Sequence, residues 1–462
     1  MAGPAVDPAG EVTGGHVVLN PASRRVQRFA TLPFVAGLCW VVLLLSQGQG
    51  RLPERLVDGL AEWSITLTLV IVALARGIHL GRPVTSPHAT AAAALLILGV
   101  VVRLLWWTWA GDVLVIAAAV VLMAPTASRP DRESVARIWP LVRQTHGDPL
   151  APFAMHSYKS HYVSSDGSAA VAYRTRLGLA VVSGDPVGGP TAFDGLADGF
   201  VAMCRSRGWR IAVLGSSEER IALWRNRVPS LRAIPIGCDV EVDVPDFAME
   251  GRRFRNLRQA VSRSHNRGIT THLVEEQDLG DALTAELAEV VHSSGHGARL
   301  ERGFSMILDG GLEGRYPGVL LMIGRGADGT VQGFHRYLVA GDGSDVTLDV
   351  PFRRPGAPNG LDERLAVDMI GWCKASGTQR LSLAFAAFPD IFDNPNRSRL
   401  ENFYYRVITL GGPLIRLESL YRYLQKFHAL GARRYVLVSL WNIPLALIVL
   451  LGLEFWPRRR ML

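Results

Sequence analysis

Cysteine is scarce in this chain of 462 residues, and its four cysteines lie far apart in the sequence. They are Cys39, Cys204, Cys238 and Cys373. Without a CxxC pair, the sequence predicts neither a disulfide framework nor a cysteine-bound zinc site, as in proteins of the reducing cytosol. His292 and His296 have a spacing that can hold a metal, but Gly295 and Gly297 interrupt the helix there and no carboxylate accompanies them. We therefore predict no metal.

Glycine-rich nucleotide fingerprints are also absent. The glycine-rich stretch 324–333 lies within a predicted hairpin, whereas a P-loop or dinucleotide-binding loop joins a strand to a helix. The R/Q-x-x-G-x-G/A signature of acetyl-CoA-using enzymes is missing at the strand-to-helix junctions. These absences argue against an acyl-CoA donor, and we predict no cofactor.

Positive charge exceeds negative charge, with 49 Lys and Arg against 41 Asp and Glu and a formal net charge of +8. Most of these cations are arginine. Such a balance favours anionic partners, and acidic lipid and RNA are the two obvious ones. The alternative is that arginine only solvates the loops of a protein from a GC-rich genome.

Apolar runs are concentrated near the two ends of the chain. The N-terminal runs are 31–46, 60–75, 89–109 and 112–125. A spanning helix needs ~20 residues, and the arginines around these runs favour four spans with both flanks cytoplasmic. We expect a disordered cytoplasmic tail over 1–28 and a multi-pass cell-membrane domain over 29–127. Arg103 is expected to snorkel to the outer interface, with a lipid-phosphate contact as the alternative.

A further apolar stretch, 435–456, is broken by Asn442 and Pro444. If it crossed the membrane, the terminal arginines 458–460 would lie outside, against the distribution of positive charge. We therefore expect residues 435–462 to form an interfacial or membrane-associated helix, with a fifth span as the alternative.

Residues 134–434 alternate predicted strands with predicted helices. The first half reads as a hairpin over 170–189, a helix over 191–207 and a strand over 209–217. A hairpin over 318–340 is followed by a strand, a helix over 362–376 and another strand in the second half. This duplication predicts two related α/β units with a cleft between them.

Three motifs follow one another in the second half. They are VTLDVPFRRPGAPNGLDERL (346–365), QRLSLAFAAF (379–388) and LYRYLQKFHALGARRYVLV (420–438). They read as a strand with an inward acid, a Pro/Gly turn, a helix, a buried strand and a closing basic-aromatic helix. Preceded by a membrane-embedded third, this order resembles the catalytic domain of the phosphatidylglycerol lysyltransferase (multiple peptide resistance factor) family. Further matches are SHYVSSDGSAAVAY (160–173), SGDPVG (183–188), FRNLRQAVSRSHNRG (254–268) and RGFSM (302–306).

The resemblance implies a mixed α/β fold, with tandem acetyltransferase-like (GNAT) units over 134–434, and a cytoplasmic catalytic domain. It implies transfer of an aminoacyl group from aminoacyl-tRNA to the hydroxyl of the anionic phospholipid phosphatidylglycerol, which changes membrane charge. Because the donor ester is already activated, the enzyme mainly positions both partners, assists proton transfer and stabilises the oxyanion. The alternatives are a related transferase acting on another lipid or cell-wall precursor, or a non-enzymatic lipid-transport or scaffold protein.

The resemblance also implies catalytic residues in the second half. Asp349 is expected to anchor the substrate amine or relay a proton; pairing with Arg353 or Arg354 to fix the turn is the alternative. Glu363 fits the acid that follows the family's Pro-Asn-Gly turn. Arg353 and Asn359 are expected to bind substrate at that turn; the alternative is that the Asn359-Gly360 pair only caps the next helix.

Two basic groups complete the predicted site. Lys426, Arg433 and Arg434 belong to the closing helix and the segment after it, and are expected to bind the lipid phosphate. Leu430-Gly431-Ala432 stand where the family usually has Pro-x-Trp before its Arg-Tyr pair. Arg252, Arg255 and Arg263 project from a predicted helix over 250–266 and are expected to bind tRNA phosphates. A solvated surface face is the alternative for that helix.

Overall fold

The computed structural model describes residues 17–19, 33, 36, 54–105, 107–130, 134–294, 306–387 and 422–455. Its helices are α1 (Glu54–His79), α2 (Ser86–Leu104), α3 (Thr108–Leu122), α4 (Val135–Arg143), α5 (Phe193–Ser206), α6 (Ile221–Arg225), α7 (Arg255–Asn266), α8 (Asp281–Ser293), α9 (Leu361–Ser376) and α10 (Ile443–Phe455). Its strands are β1 (Val17–Leu19), β2 (Val84–Thr85), β3 (Ser160–Val163), β4 (Ala169–Arg176), β5 (Leu179–Ser183), β6 (Val187–Gly188), β7 (Arg210–Ser217), β8 (Leu231–Asp243), β9 (Thr270–Glu275), β10 (Val319–Arg325), β11 (Val331–Ala340), β12 (Asp345–Arg353), β13 (Arg380–Ala387) and β14 (Leu430–Ser439).

Twelve of these strands form one mixed sheet. Its order is β3-β4-β5-β7-β14-β8-β13-β12-β11-β10-β9, with β6 beside β4. The strands pair antiparallel except at β5–β7 and β12–β13, which are parallel. A crossover helix joins each parallel pair, α5 in the first unit and α9 in the second, as parallel neighbours require. The hairpin, helix and strand predicted for each half are therefore present in both.

The two units exchange their last strands. β8 follows β7 in the chain but pairs with β13, where Asp243 lies opposite Arg380. β14 follows the second unit but lies between β7 and β8, with Arg434 opposite both Ser217 and Gly237. The closing basic-aromatic helix predicted within 420–438 covers only 422–425 among the described residues, and Leu430–Ser439 is the strand β14.

Alternating side chains explain why the end of that segment is a strand. Leu437 packs in the core under α5, whereas Val436 and Val438 face the opposite side under α10. The predicted interfacial segment consequently begins within β14, and its helix starts only at Ile443. One face of α10 packs on the sheet through Ala446 and other small and aliphatic residues.

The N-terminal apolar helices α2 and α3 pack against each other through glycine. A Cβ on Gly111 would lie 2.7 Å from the Gly99 carbonyl oxygen, so only glycine permits this approach. Arg103 forms an ion pair with Asp112 in the same hairpin, whereas snorkelling or lipid-phosphate contact was predicted. Among the described residues, Ser86–Leu104 is the one helix long and apolar enough to cross a membrane. The predicted run 31–46 lies outside the described residues, apart from two isolated positions.

Candidate functional site

A buried ionic cluster lies where the two units exchange strands; we call it the central cluster. It consists of Arg434, Asp148, Asp185 and Asp239. The Arg434 guanidinium donates to Asp239 Oδ2 through Nε at 2.6 Å and to Asp148 Oδ1 through Nη2 at 2.8 Å. Its Nη1 lies 3.4 Å from Asp185 Oδ2. The arginine side chain is only 3% exposed, so its charge is balanced by these carboxylates and not by solvent.

Four separate chain segments build the central cluster. Asp239 comes from β8 and Arg434 from β14, so the strand exchange brings this pair together. Asp148 and Asp185 each occupy the middle of a Gly-Asp-Pro tripeptide. The preceding Gly147 and Gly184 both have φ +73, which favours glycine and turns the chain toward the cluster.

Negative charge is in excess in the central cluster, because three carboxylates face one guanidinium. Burial raises the pKa of Asp185 to about 6, and the neighbouring Asp148 adds to this rise. Burial also raises the pKa of Asp239, although Arg434 opposes the shift. Asp148 Oδ2 is buried without a hydrogen-bond partner among the described residues. A cation or a hydrogen-bond donor would complete this arrangement.

Glu241 lies on β8 two residues after Asp239 and borders a small cavity of about 10 Å³, enough for roughly one water molecule. Asp345 and Arg380, paired at 2.6 Å, line the same cavity. Burial and the charge of Asp239 raise the pKa of Glu241 to about 7. A carboxyl group with this pKa is suited to take up a proton at neutral pH.

Asp349 is buried in a second ionic network on β12. Its Oδ2 accepts from Arg336 Nη1 at 2.6 Å, and its Oδ1 accepts from the Leu308 backbone N–H at 2.9 Å. Arg336 also pairs with Glu276 through Nε at 2.5 Å. Burial raises the pKa of Asp349 to about 6. The alternative that it pairs with Arg353 or Arg354 was therefore wrong.

Glu363 and Lys426 were predicted for different roles, and the structure places them in contact. Lys426 Nζ donates to Glu363 Oε1 at 2.6 Å; the lysine side chain is 34% exposed and the glutamate 10%. Next to them on α9, Asp362 accepts from Arg353 Nη1 at 3.2 Å and lies 3.3 Å from His335 Nε2. Burial would raise the pKa of Asp362, but His335 and Arg353 outweigh it and lower that pKa.

The two predicted catalytic acids lie on opposite faces of the sheet. Along β11, His335 alternates with Arg336, so their side chains point to opposite faces. Asp349 contacts Arg336, on one face. Glu363 is the neighbour of Asp362 on α9, and Asp362 contacts His335 on the other face. The structure therefore does not bring Asp349 and Glu363 into one centre.

The turn before α9 is set by glycine rather than by asparagine. Gly360 is the N-cap residue at φ +96, and no side chain caps the helix. A Cβ on Gly360 would lie 2.2 Å from the Ala260 carbonyl oxygen. The predicted Asn-Gly cap is therefore made by Gly360 and not by the Asn359 side chain. Arg353, also predicted for this turn, donates to the Ala357 carbonyl oxygen at 3.1 Å.

Arg433 and Arg434 were predicted to bind lipid phosphate together, and the structure separates them. Both lie in β14, where Arg433 is exposed and Arg434 is buried in the central cluster. Since three carboxylates surround its guanidinium, Arg434 has no surface position at which to meet a phosphate. The prediction that Arg434 binds the lipid phosphate was therefore wrong.

The basic helix predicted over 250–266 is present but begins at Arg255. Leu257 and Ala260 are buried on its inner face. Arg255 and Arg263 line an open concavity of about 520 Å³ on its outer face. Arg252 is exposed in the turn before the helix.

Sequence reasoning missed Asp148, Asp185, Asp239 and Glu241. The repeated Gly-Asp-Pro tripeptide was an available signal for the first two, because it places an aspartate at two similar turns. Asp239 and Glu241 lie on one face of β8 and gave no such signal, since their partners come from other parts of the chain.

Similar proteins support the resemblance seen in the motifs. Residues 139–438 match the family model described as phosphatidylglycerol lysyltransferase, C-terminal. The chain is 52% identical over 448 residues to the MprF-like domain protein Rv1619 of Mycobacterium tuberculosis, covering 96% of this chain and 92% of that protein. It is 29% identical over 334 residues to the lysylphosphatidylglycerol biosynthesis bifunctional protein LysX of Mycobacterium marinum, covering 70% of this chain but only 30% of LysX.

Two solved structures share the fold. They are the C-terminal domain of a putative lysylphosphatidylglycerol synthetase from Agrobacterium fabrum (TM-score 0.60, 23% identity, 71% of this chain and 98% of that one) and L-PGS from Bacillus licheniformis (TM-score 0.60, 20% identity, 71% and 97%). The mixed α/β fold that the motifs implied is thus confirmed. With the match to the family model and to Rv1619, the chain belongs to the phosphatidylglycerol lysyltransferase family.

Proposed function

We propose that this chain is a membrane-bound transferase that moves an aminoacyl group from aminoacyl-tRNA to the hydroxyl of phosphatidylglycerol. Family membership supports the lipid acceptor. The names of the LysX relatives point to lysyl as the first group to test. The main support for the proposal is the central cluster, which lies where the two units exchange strands and has Glu241 beside it.

The central cluster suits the amine of the donor. An aminoacyl ester carries at least one ammonium group, and a lysyl ester carries two. The excess of carboxylates over Arg434 would stabilise such a cation, because opposite charges attract more strongly where water is excluded. The orphaned Asp148 Oδ2 is one acceptor that an ammonium group would satisfy.

Glu241 is the group we propose as general base. Its carboxylate would take the proton of the lipid hydroxyl as that oxygen attacks the ester carbonyl carbon. The bond between that carbon and the ribose oxygen then breaks, and the ribose oxygen receives the proton that Glu241 took up. One ester replaces another, so no oxidant, metal or external energy source is needed.

The remaining predicted residues serve binding in this proposal. Lys426 is half-exposed and held by Glu363, so it can offer one cation to the lipid phosphate, with Arg433 as the second. Asp349 uses both carboxylate oxygens within the protein, and we assign it to holding Leu308 and Arg336 in place. The exposed arginines of α7, together with Arg252, would receive the phosphates of tRNA.

The test uses the full chain in phosphatidylglycerol vesicles with tRNA charged with labelled lysine, and then with other amino acids. We expect an aminoacylated lipid by mass spectrometry, and Glu241→Gln should lower the transfer rate by roughly 10²- to 10⁴-fold. Glu219→Gln, at an exposed glutamate, is the matched control. The absence of product with every charged tRNA would refute the function, and full activity of Glu241→Gln would refute the base.

A further inference from the structure

A second basic surface lies at the junction of the apolar helices with the sheet; we call it the junction arginines. It comprises Arg76, Arg82, Arg176 and Arg210. Arg82 Nη1 donates to the Met123 carbonyl oxygen at 2.8 Å, where α3 has just ended. Its Nη2 lies 3.5 Å from the position that a Cβ on Gly178, at the tip of the β4–β5 hairpin, would take. Arg82 thus connects the helical hairpin to the sheet.

The other junction arginines lie around Arg82. Arg210 begins β7, and its Nη1 donates to Asn442 Oδ1, just before α10, at 2.5 Å. Arg176 Nη1 lies 3.3 Å from the position of a Cβ on Gly452 in α10. Two strands of the sheet, β4 and β7, and the end of α1 with the turn after it therefore present arginine at one place.

No carboxylate within the described part of the chain forms a salt bridge with any junction arginine. Burial, together with the charges of Arg210 and Arg76, lowers the pKa of Arg82. Burial and the charge of Arg76 likewise lower the pKa of Arg210. Arg82 Nε is buried with no hydrogen-bond partner among the described residues. Mutually repelling guanidinium groups, one of them with a buried N–H that no described residue accepts, form a site suited to an anion.

Exposed apolar side chains adjoin the same junction. Trp441 is 95% exposed immediately before α10, and Leu447 and Ile448 are exposed on the outer face of that helix. Leu177 is 54% exposed at the hairpin tip, between Arg176 and Gly178, with φ +51, a conformation that leucine rarely adopts. An apolar surface bordered by arginine suits a lipid bilayer better than water, because the acyl chains and the phosphates can both be satisfied.

We propose that the junction arginines bind the phosphate of an anionic phospholipid of the cytoplasmic leaflet, at a site separate from that of the acceptor lipid. The inference rests on the membrane placement in the proposed function. Guanidinium groups bind phosphate oxygens through paired hydrogen bonds, which supplies the specificity for phosphate. Such a lipid would hold the sheet at a fixed height on the bilayer, with the hairpin tip and α10 inserted at the interface.

The experiment measures lipid retention instead of catalysis. Full-length protein is placed in phosphatidylcholine nanodiscs with a minor share of phosphatidylserine, which is anionic but lacks the headgroup glycerol. Bound lipids are counted by native mass spectrometry after extraction. We expect preferential retention of phosphatidylserine, and about fivefold weaker binding for each arginine neutralised. The double variant Arg76→Gln/Arg176→Gln tests this first, since both side chains are exposed.

Controls separate charge from folding. Arg253→Gln/Arg267→Gln removes two exposed arginines at the ends of α7 and should leave phosphatidylserine retention unchanged. Arg82→Lys keeps the charge but loses the planar donor pair, and should retain less lipid than the native chain when both are compared well below their melting temperatures, because Arg82 also holds Met123.

Equal retention by the native chain and the Arg76/Arg176 variant would overturn the proposal, as would equal retention of phosphatidylcholine and phosphatidylserine. Loss of tRNA binding in that variant with lipid retention intact would assign the surface to RNA and overturn it too. The proposed function fails separately. Protein that retains phosphatidylserine but makes no aminoacylated lipid refutes the transferase alone.

Discussion

Replacing Arg434 by glutamine should expose how strongly the central cluster depends on one guanidinium. The substitution leaves Asp148, Asp185 and Asp239 buried without the guanidinium that pairs with all three. Removing one partner of a buried ion pair costs about 3–5 kcal/mol, because the remaining charge is uncompensated. At roughly 2 °C per kcal/mol for a domain of this size, the melting temperature should fall by about 6–10 °C at pH 8.

The fall in melting temperature caused by Arg434→Gln should become smaller as the pH falls, because the pKa of Asp185 is raised in the folded chain. Its pKa is about 6 in the folded chain against 3.8 in the unfolded one, so the folded state binds more protons between those values. Stability therefore falls as the pH rises from 4 to 6, by about 3 kcal/mol for this group alone. Without Arg434 the folded pKa values rise further, and the window extends toward neutral pH.

The assay is thermal unfolding of the full chain in detergent at pH 5 and pH 8, at one scan rate. Arg227→Gln is the matched control, because Arg227 also pairs with two aspartates, Asp194 and Asp198, but both are exposed. Each exposed pair contributes about 1 kcal/mol or less, so the loss of two should leave this control within about 4 °C of the native chain at both pH values. The reasoning is refuted if Arg434→Gln melts like the control, or if its loss is the same at pH 5 and pH 8.

Two further predictions concern the second unit. Gly360→Ala should lower the melting temperature markedly, since its Cβ would lie 2.2 Å from the Ala260 carbonyl oxygen. Gly356→Ala, at φ +83 but with open space around it, should lower the melting temperature less. Equal losses in the two variants would argue against the steric reason. Glu363→Gln and Lys426→Met, combined in a double-mutant cycle on KM for the lipid, should show a coupling of about 0.5–3 kcal/mol. Additive effects on KM would mean that the ion pair plays no part in lipid binding.

Local patterns were enough to predict the crossover helix and the hairpin of the second unit. The helix predicted over 362–376 is Leu361–Ser376, and the hairpin predicted over 318–340 is β10 with β11. In both cases the signals lie within the element, as glycine at the turns and as side chains of matching period. The resemblance to the family, with the acetyltransferase-like fold that it implies, came from the order of the motifs rather than from any one of them.

Partners from distant segments were not predictable in the same way. Asp349 pairs with Arg336, thirteen residues earlier, across a β11–β12 register that shifts between Arg336 and Tyr337. A shift of one residue moves a side chain to the opposite face, so period alone could not decide which face Asp349 occupies. The basic-aromatic segment that leads into β14 has a composition that suits a helix as well as a strand. The strand partners of β14 lie nearly two hundred or more residues away in the sequence.

The strand exchange explains why the candidate site belongs to neither unit alone. The first unit supplies Asp148, Asp185 and β8 with Asp239, and the second returns β14 with Arg434 to complete the cluster. A first unit without β14 would keep three buried carboxylates and lose their cation, together with the strand between β7 and β8. The units should therefore unfold together, with amide exchange in β7 and β8 slowed to the same degree as in β13. Independent exchange of the two units would mean that the exchanged strands do not couple them.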